Sequence, residues 1–137
     1  MDGRDELGCK LKKVLNSDFL KIKKELEAMF GIMKKEIQDD DLFFDAKLIL
    51  DELICNGILH GNDENDEKLL EVSIDINDEN IKIQVSDEGD GFEYSKEAYN
   101  PLSLETNGRG LCLVDGLSDE LHIDKNTITS IKYVGSN

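Results

Sequence analysis

Leu70–Asp87 reads LEVSIDINDENIKIQVSD, and the alternation in it decides the fold. Leu70, Val72, Ile74 and Ile76 are separated by Glu71, Ser73 and Asp75; after the turn residues Asn77–Asn80, Ile81, Ile83 and Val85 alternate with Lys82, Gln84 and Ser86. Side chains two apart share one face of a strand, so the pattern predicts an antiparallel hairpin with one apolar and one wet face, ending directly at Asp87. A sheet wet on one side needs its cover on the other.

The cover lies upstream. Asn16, Ser17 and Asp18 offer N-caps, and Phe19, Ile22, Leu26, Met29 or Phe30, Met33 and Ile37 recur every three or four residues, the signature of an amphipathic helix. Lys34 and Lys35 suit the negative end of its dipole, while Gly31 inside it costs roughly 1 kcal/mol relative to alanine. Asp39, Asp40 and Asp41 start a second helix, Leu42 to His60, which is apolar around most of its circumference and ends at Gly61. Before the first helix, Cys9 to Leu15 supplies a short edge strand through Leu11 and Val14, and 1–8 is loose.

Downstream of the hairpin, periodicity fails from Glu93 to Asn107, where Pro101 is the only proline, and so long a loop points to function. Gly108–Gly116 then reads as a short helix, and Ser118–Asp124 and Thr127–Val134 as a closing pair of strands around Lys125 and Asn126. The order predicts one α+β domain over 1–137, a two-layer sandwich of a mixed, mainly antiparallel sheet with helices on one face.

Composition sets the outer limits. The 137 residues carry 16 basic and 31 acidic side chains, a formal charge of -15 that repels phosphate backbones and argues against direct nucleic-acid binding. With 39% hydrophobic residues the chain has the makings of a core and does not read as disordered. Cys9, Cys55 and Cys112 are odd in number and outside any CxxC spacing, which fits buried thiols in a reducing cytoplasm better than disulfides or zinc. The sequence carries neither a signal peptide nor an apolar stretch of about 18 residues, so a cytoplasmic protein without a membrane anchor is expected.

Three segments are richer than core-building requires. In the second helix Glu52, Asn56 and His60 fall at i, i+4 and i+8 on one face, where polar groups are costly unless something meets them. Asp87-Glu-Gly89-Asp-Gly91-Phe92 sits at a strand end, where the glycines allow close approach of a ligand and Asp87 can accept from a ligand amine. Its glycine placement fails the calcium-loop pattern, as does Asp63–Lys68. Gly108-Arg109-Gly110-Leu111 opens a helix whose free N–H groups suit phosphate, although neither the P-loop nor the Rossmann glycine pattern is present.

In this order and spacing the three segments resemble the GHKL ATPase superfamily, and within it the small anti-sigma-factor serine kinases, from about Leu11 to Val134. The specific part is DEGDGF from Asp87, followed by GRGLCLVDGLSDEL from Gly108. The resemblance implies the Bergerat ATP-binding fold, ATP and Mg²⁺ as cofactors, and residues 93–107 as the ATP lid. By it, Asn56 holds Mg²⁺ and Glu52 takes the proton from, or orients, the attacking hydroxyl. Asp87 accepts from the adenine amino group, with Gly89 and Gly91 making room; Gly108, Arg109, Gly110 and Leu111 close over the phosphates, and Thr127 lies near adenine. Asn126 stands where the family often has glycine, and as asparagine it tolerates a left-handed turn; Gly57 stands where alanine is common. His60 and His122 are structural in this reading.

The function implied is a regulatory protein that sequesters a sigma factor and phosphorylates a serine on an anti-anti-sigma antagonist, acting as a homodimer. Two other readings stay open: a non-catalytic ATP-binding partner-switching module, and a detached histidine-kinase catalytic domain, for which this chain offers no phosphoacceptor helix pair. ATP must enter a protein of charge -15. Cation, helix N-terminus and Arg109 act within a few ångströms, whereas distant carboxylates are screened beyond about 8 Å, so strongly Mg²⁺-dependent binding is expected.

Overall fold

The computed structural model describes residues 8–58, 67–89 and 106–134, without the side chains of Phe19 and residues 106–110. The sheet is built from β1 (Cys9–Asn16), β2 (Leu69–Ile76), β3 (Asn80–Ser86), β4 (Glu120–Asp124) and β5 (Thr127–Tyr133) in the order β1-β2-β3-β5-β4. All four pairings are antiparallel, so the parallel component allowed for in a mixed sheet is absent among the described residues. The α+β class and the edge position of β1 agree with the sequence reading. Of the segments expected to be loose (1–8) and to form a lid (93–107), all but Gly8, Thr106 and Asn107 lie outside the described residues.

Both strands of the central hairpin bury the residues that alternation selects: Leu70, Val72, Ile74 and Ile76 on β2, and Ile81, Ile83 and Val85 on β3. Helices α1 (Phe19–Glu36) and α2 (Asp40–Asn56) cover this face. Each begins on an aspartate whose carboxylate accepts a free helix N–H: Asp18 from Leu20 at 2.9 Å, Asp39 from Leu42 at 3.0 Å. Ile22, Met29, Met33 and Ile37 put the α1 stripe into the core, joined by Ala46, Ile49, Leu50, Leu53 and Ile54 of α2. Lys34 over Phe43 and Lys47 over Phe30, 4.9 and 5.1 Å from the ring centroids, link the two helices at the surface.

Helix α3 (Thr106–Leu117) packs on α2 through its buried Leu111 and Val114. Its end is pinned to β5. Ser118 Oγ lies 2.6 Å from both Val114 O and Ser130 Oγ, and Lys132 Nζ donates to Leu117 O at 2.8 Å and pairs with Asp45 at 3.4 Å. No helix of the described residues is long and apolar enough to cross a membrane.

The direction of α2 places the site. Its first turn, at Leu42, shares a cleft with Ile76, Asn77 and Ile81 at the hairpin turn, whereas Gly57 just beyond its end packs on Leu70 at the start of β2. Glu71 pairs with Ser86, so the C-terminal end of α2 lies over the same end of the sheet as Asp87.

Candidate functional site

Helix α2 ends at Asn56, earlier than the expected His60, and the backbone widens into a π-type turn at 57–58. Gly57 keeps helical angles, φ -63 and ψ -41, and its N–H reaches both Ile54 O and Leu53 O. His60 and Gly61 lie outside the described residues. Glu52 and Asn56 stand one turn apart near this end, both half-buried. The Asn56 amide oxygen is buried without a hydrogen-bond partner, one of two such side-chain oxygens among the described residues; the other is on Asn16. An orphaned buried carbonyl costs about 1–3 kcal/mol, a cost that a ligand can relieve.

Burial, with Asp51 next to it, raises the Glu52 carboxyl above the ordinary range. That is the direction a proton acceptor working near neutral pH requires. Burial, then Asp51 and Glu52, push the Cys55 thiol up to about 11, so it stays protonated and is a poor nucleophile. All three cysteines are free and half-buried, more exposed than the buried thiols expected from the sequence.

Asp87 follows β3 directly. Its Oδ1 accepts from Gly89 N–H at 2.7 Å, an Asx turn that ties one carboxylate oxygen; Gly91 lies outside the described residues. Burial raises the Asp87 pKa, and the Gly89 N–H and Lys68 act against that rise. The next residue, Glu88, accepts from Leu69 N–H at 2.5 Å, which ties the turn to β2.

Asn126 faces Asp87 across the sheet end. Asp87 N–H donates to Asn126 O at 3.0 Å, and Asn126 Nδ2 donates to Asp87 O at 2.5 Å. The residue of this hairpin with positive φ is Lys125, at 57; Asn126, noted in the sequence as tolerant of a left-handed turn, does not adopt one. Asp124 pairs with Thr127, so the loop has two residues, and a positive φ at the first alone is the pattern of a type II′ turn.

Thr127 is paired with Ser86, and their hydroxyls are 2.7 Å apart. By strand alternation both lie on the face away from the helices, with Gln84 and Thr129, while Val85 and Ile128 face inward. The sequence placed Thr127 near adenine; the structure brings it beside Asp87 but commits its hydroxyl to Ser86 and the Asn126 amide. His122 is exposed on β4 and lies 3.0 Å from Glu120.

Helix α3 starts at Thr106, so Gly108, Arg109 and Gly110 lie within its first turns, not at a start on Gly108 as expected. Leu111 is 1% exposed and belongs to the core, so only its backbone is left to serve a ligand. Helix α3 packs on α2, the helix that bears Glu52 and Asn56.

These features fit what the chain resembles. Residues 20–132 match the family described as the histidine kinase-like ATPase domain. Among similar proteins is a serine-protein kinase, RsbW, of Staphylococcus epidermidis, 30% identical over 76% of this chain and 74% of that protein. A serine-protein kinase RsbW of Staphylococcus aureus strain JH9 is 32% identical over the same shares. With the antiparallel sheet, its helical cover and a match across most of its length, the chain belongs to the histidine kinase-like ATPase domain family.

Proposed function

We propose that this protein is an ATP-binding anti-sigma factor that transfers the γ-phosphoryl group of ATP to a serine of an anti-anti-sigma antagonist. The observation that carries the reading is the unpartnered, buried Asn56 oxygen at the end of the helix that bears Glu52, over the sheet end that carries Asp87. The kinship with two serine-protein kinases supports the choice of a protein serine as acceptor.

An amide oxygen with free lone pairs is a hard donor suited to Mg²⁺, so Asn56 would hold the ion together with the phosphates. Bound there, Mg²⁺ would supply neutralisation of phosphate charge. Asp87, with Oδ1 tied to Gly89, offers its other oxygen to the adenine amino group. Gly91 leaves room for the base, and Gly108, Arg109 and Gly110 with the Leu111 backbone close over the phosphates. Glu52 accepts the proton of the serine hydroxyl as its oxygen bonds to the γ-phosphorus, and ADP leaves with the electron pair of the broken bond. The partner proteins and a homodimeric state belong to the same reading.

The test is incubation of the chain with Mg·ATP and antagonist proteins encoded in neighbouring reading frames, with phosphoserine read by mass spectrometry. Transfer by the wild type and its loss in Glu52→Ala support the assignment. Transfer retained by Glu52→Ala removes Glu52 from catalysis. ATP binding without transfer leaves a partner-switching module that uses ATP for binding alone.

A further inference from the structure

We propose that Asn126 is a positioning residue for Asp87, oriented in turn by Thr127, so that the hairpin tip between β4 and β5 sets the aim of the carboxylate at the adenine amino group. This rests on the ATP-binding reading above and deepens it.

Three observations converge. Both main-chain polar groups of Asp87 meet Asn126: its N–H donates to the Asn126 main-chain carbonyl at 3.0 Å, and its carbonyl accepts from the Asn126 side chain, Nδ2, at 2.5 Å. With Gly89 N–H on Oδ1 at 2.7 Å, Asp87 is restrained from backbone to carboxylate. Next, Thr127 Oγ1 donates toward Asn126 Oδ1 at 3.5 Å and lies 2.7 Å from Ser86 Oγ. One proton order satisfies both contacts: Ser86 donates to Thr127, and Thr127 to the Asn126 oxygen. That order turns the NH₂ end of the amide toward Asp87.

The third observation is the turn. Lys125 is the one non-glycine residue with positive φ among the described residues, and a left-handed lysine is disfavoured because its Cβ crowds the following carbonyl. The two-residue type II′ turn requires positive φ at this first loop position, whichever residue stands there. With the turn made at Lys125, Asn126 keeps negative φ and its amide is engaged by a residue 39 positions away.

Asn126→Ala, Thr127→Val and Thr127→Ser are compared with the wild-type chain. Amide hydrogen exchange is measured without nucleotide at Asp87 and Gly89, with Ile83 in mid-β3 as the reference that global destabilisation would also move. Affinity is measured in Mg²⁺ buffer for ATP and for purine riboside 5′-triphosphate, which lacks the 6-amino group. Asn126→Ala should speed Asp87 and Gly89 exchange relative to Ile83. It should weaken ATP about tenfold, the equivalent of one hydrogen bond, and the deaminated analogue less than about twofold. Thr127→Val should show a smaller version of both effects, and Thr127→Ser should restore wild-type behaviour.

Unchanged relative exchange, or equal weakening of both nucleotides, overturns the proposal. A wild-type chain that binds neither nucleotide overturns the ATP reading instead, and the exchange rates then still decide whether Asn126 holds Asp87.

Discussion

A Cβ placed on Gly57 would stand 2.6 Å from Leu70 Cδ2, so Leu70 fills the space that an alanine at the end of α2 would claim. Gly57 has ordinary helical angles and needs no glycine for its backbone. The missing methyl is a matter of packing against β2, directly beside Asn56.

Gly57→Ala therefore sets a helix-propensity gain of about 1 kcal/mol against overpacking of about 1–3 kcal/mol. A net loss of about 1 kcal/mol is expected in urea denaturation. In a Leu70→Ala background, itself destabilised by about 2–5 kcal/mol, the same substitution should become stabilising. Additive effects across the four proteins of this cycle would show that the two side chains do not compete for one space.

Asn56→Ala should separate stability from function. The substitution removes a buried carbonyl that has no partner, so the nucleotide-free protein should gain about 1 kcal/mol, seen as a melting temperature raised by about 3–6 °C. Nucleotide binding should fall to background in the same preparation. A drop in melting temperature would mean that the amide is satisfied within the fold.

Much of the architecture was legible because it is written locally. The two-residue alternation of Leu70–Val85 gave the hairpin, and the capping aspartates Asp18 and Asp39 stand one residue before the observed helix starts. Insertion of β5 between β3 and β4 joins segments more than forty residues apart, and no local period encodes it. A separation of 39 residues likewise hid the Asn126 bond to Asp87. At the hairpin tip residue preference misled: asparagine tolerates positive φ better than lysine, yet the two-residue type II′ turn puts it at the first loop position, which is Lys125. Glu52, Asn56 and Asp87 stand out in the sequence as candidates by spacing and residue type; the orphaned oxygen of Asn56 required burial to be known.

The raised carboxyls Glu52 and Asp87 give stability a definite pH dependence. A carboxyl with a higher pKa folded than unfolded binds its proton more tightly in the folded state. Its contribution is most favourable below the unfolded value, near 4, and is lost as pH rises through the folded one. Glu52→Gln should accordingly raise the melting temperature of the nucleotide-free protein at pH 7 and leave it nearly unchanged at pH 4. A gain of the same size at both values would mean that ionisation of Glu52 plays no part.

Lys125→Gly should relieve the left-handed turn without disturbing Asn126. The first position of a two-residue type II′ hairpin favours glycine, so a gain of about 0.5–1 kcal/mol is expected in urea denaturation. A loss of stability would show that the lysine side chain compensates for its backbone.

Titration calorimetry with ATP, in Mg²⁺ buffer and again in excess EDTA, bears most directly on the site itself. A clear saturable heat with Mg²⁺ that disappears in EDTA, and that Asn56→Ala abolishes even with Mg²⁺ present, is the expected result. Equal ATP affinity in both buffers, or an Asn56→Ala protein that binds like the wild type, would contradict the assignment of Asn56 as the residue that holds the ion against the phosphates.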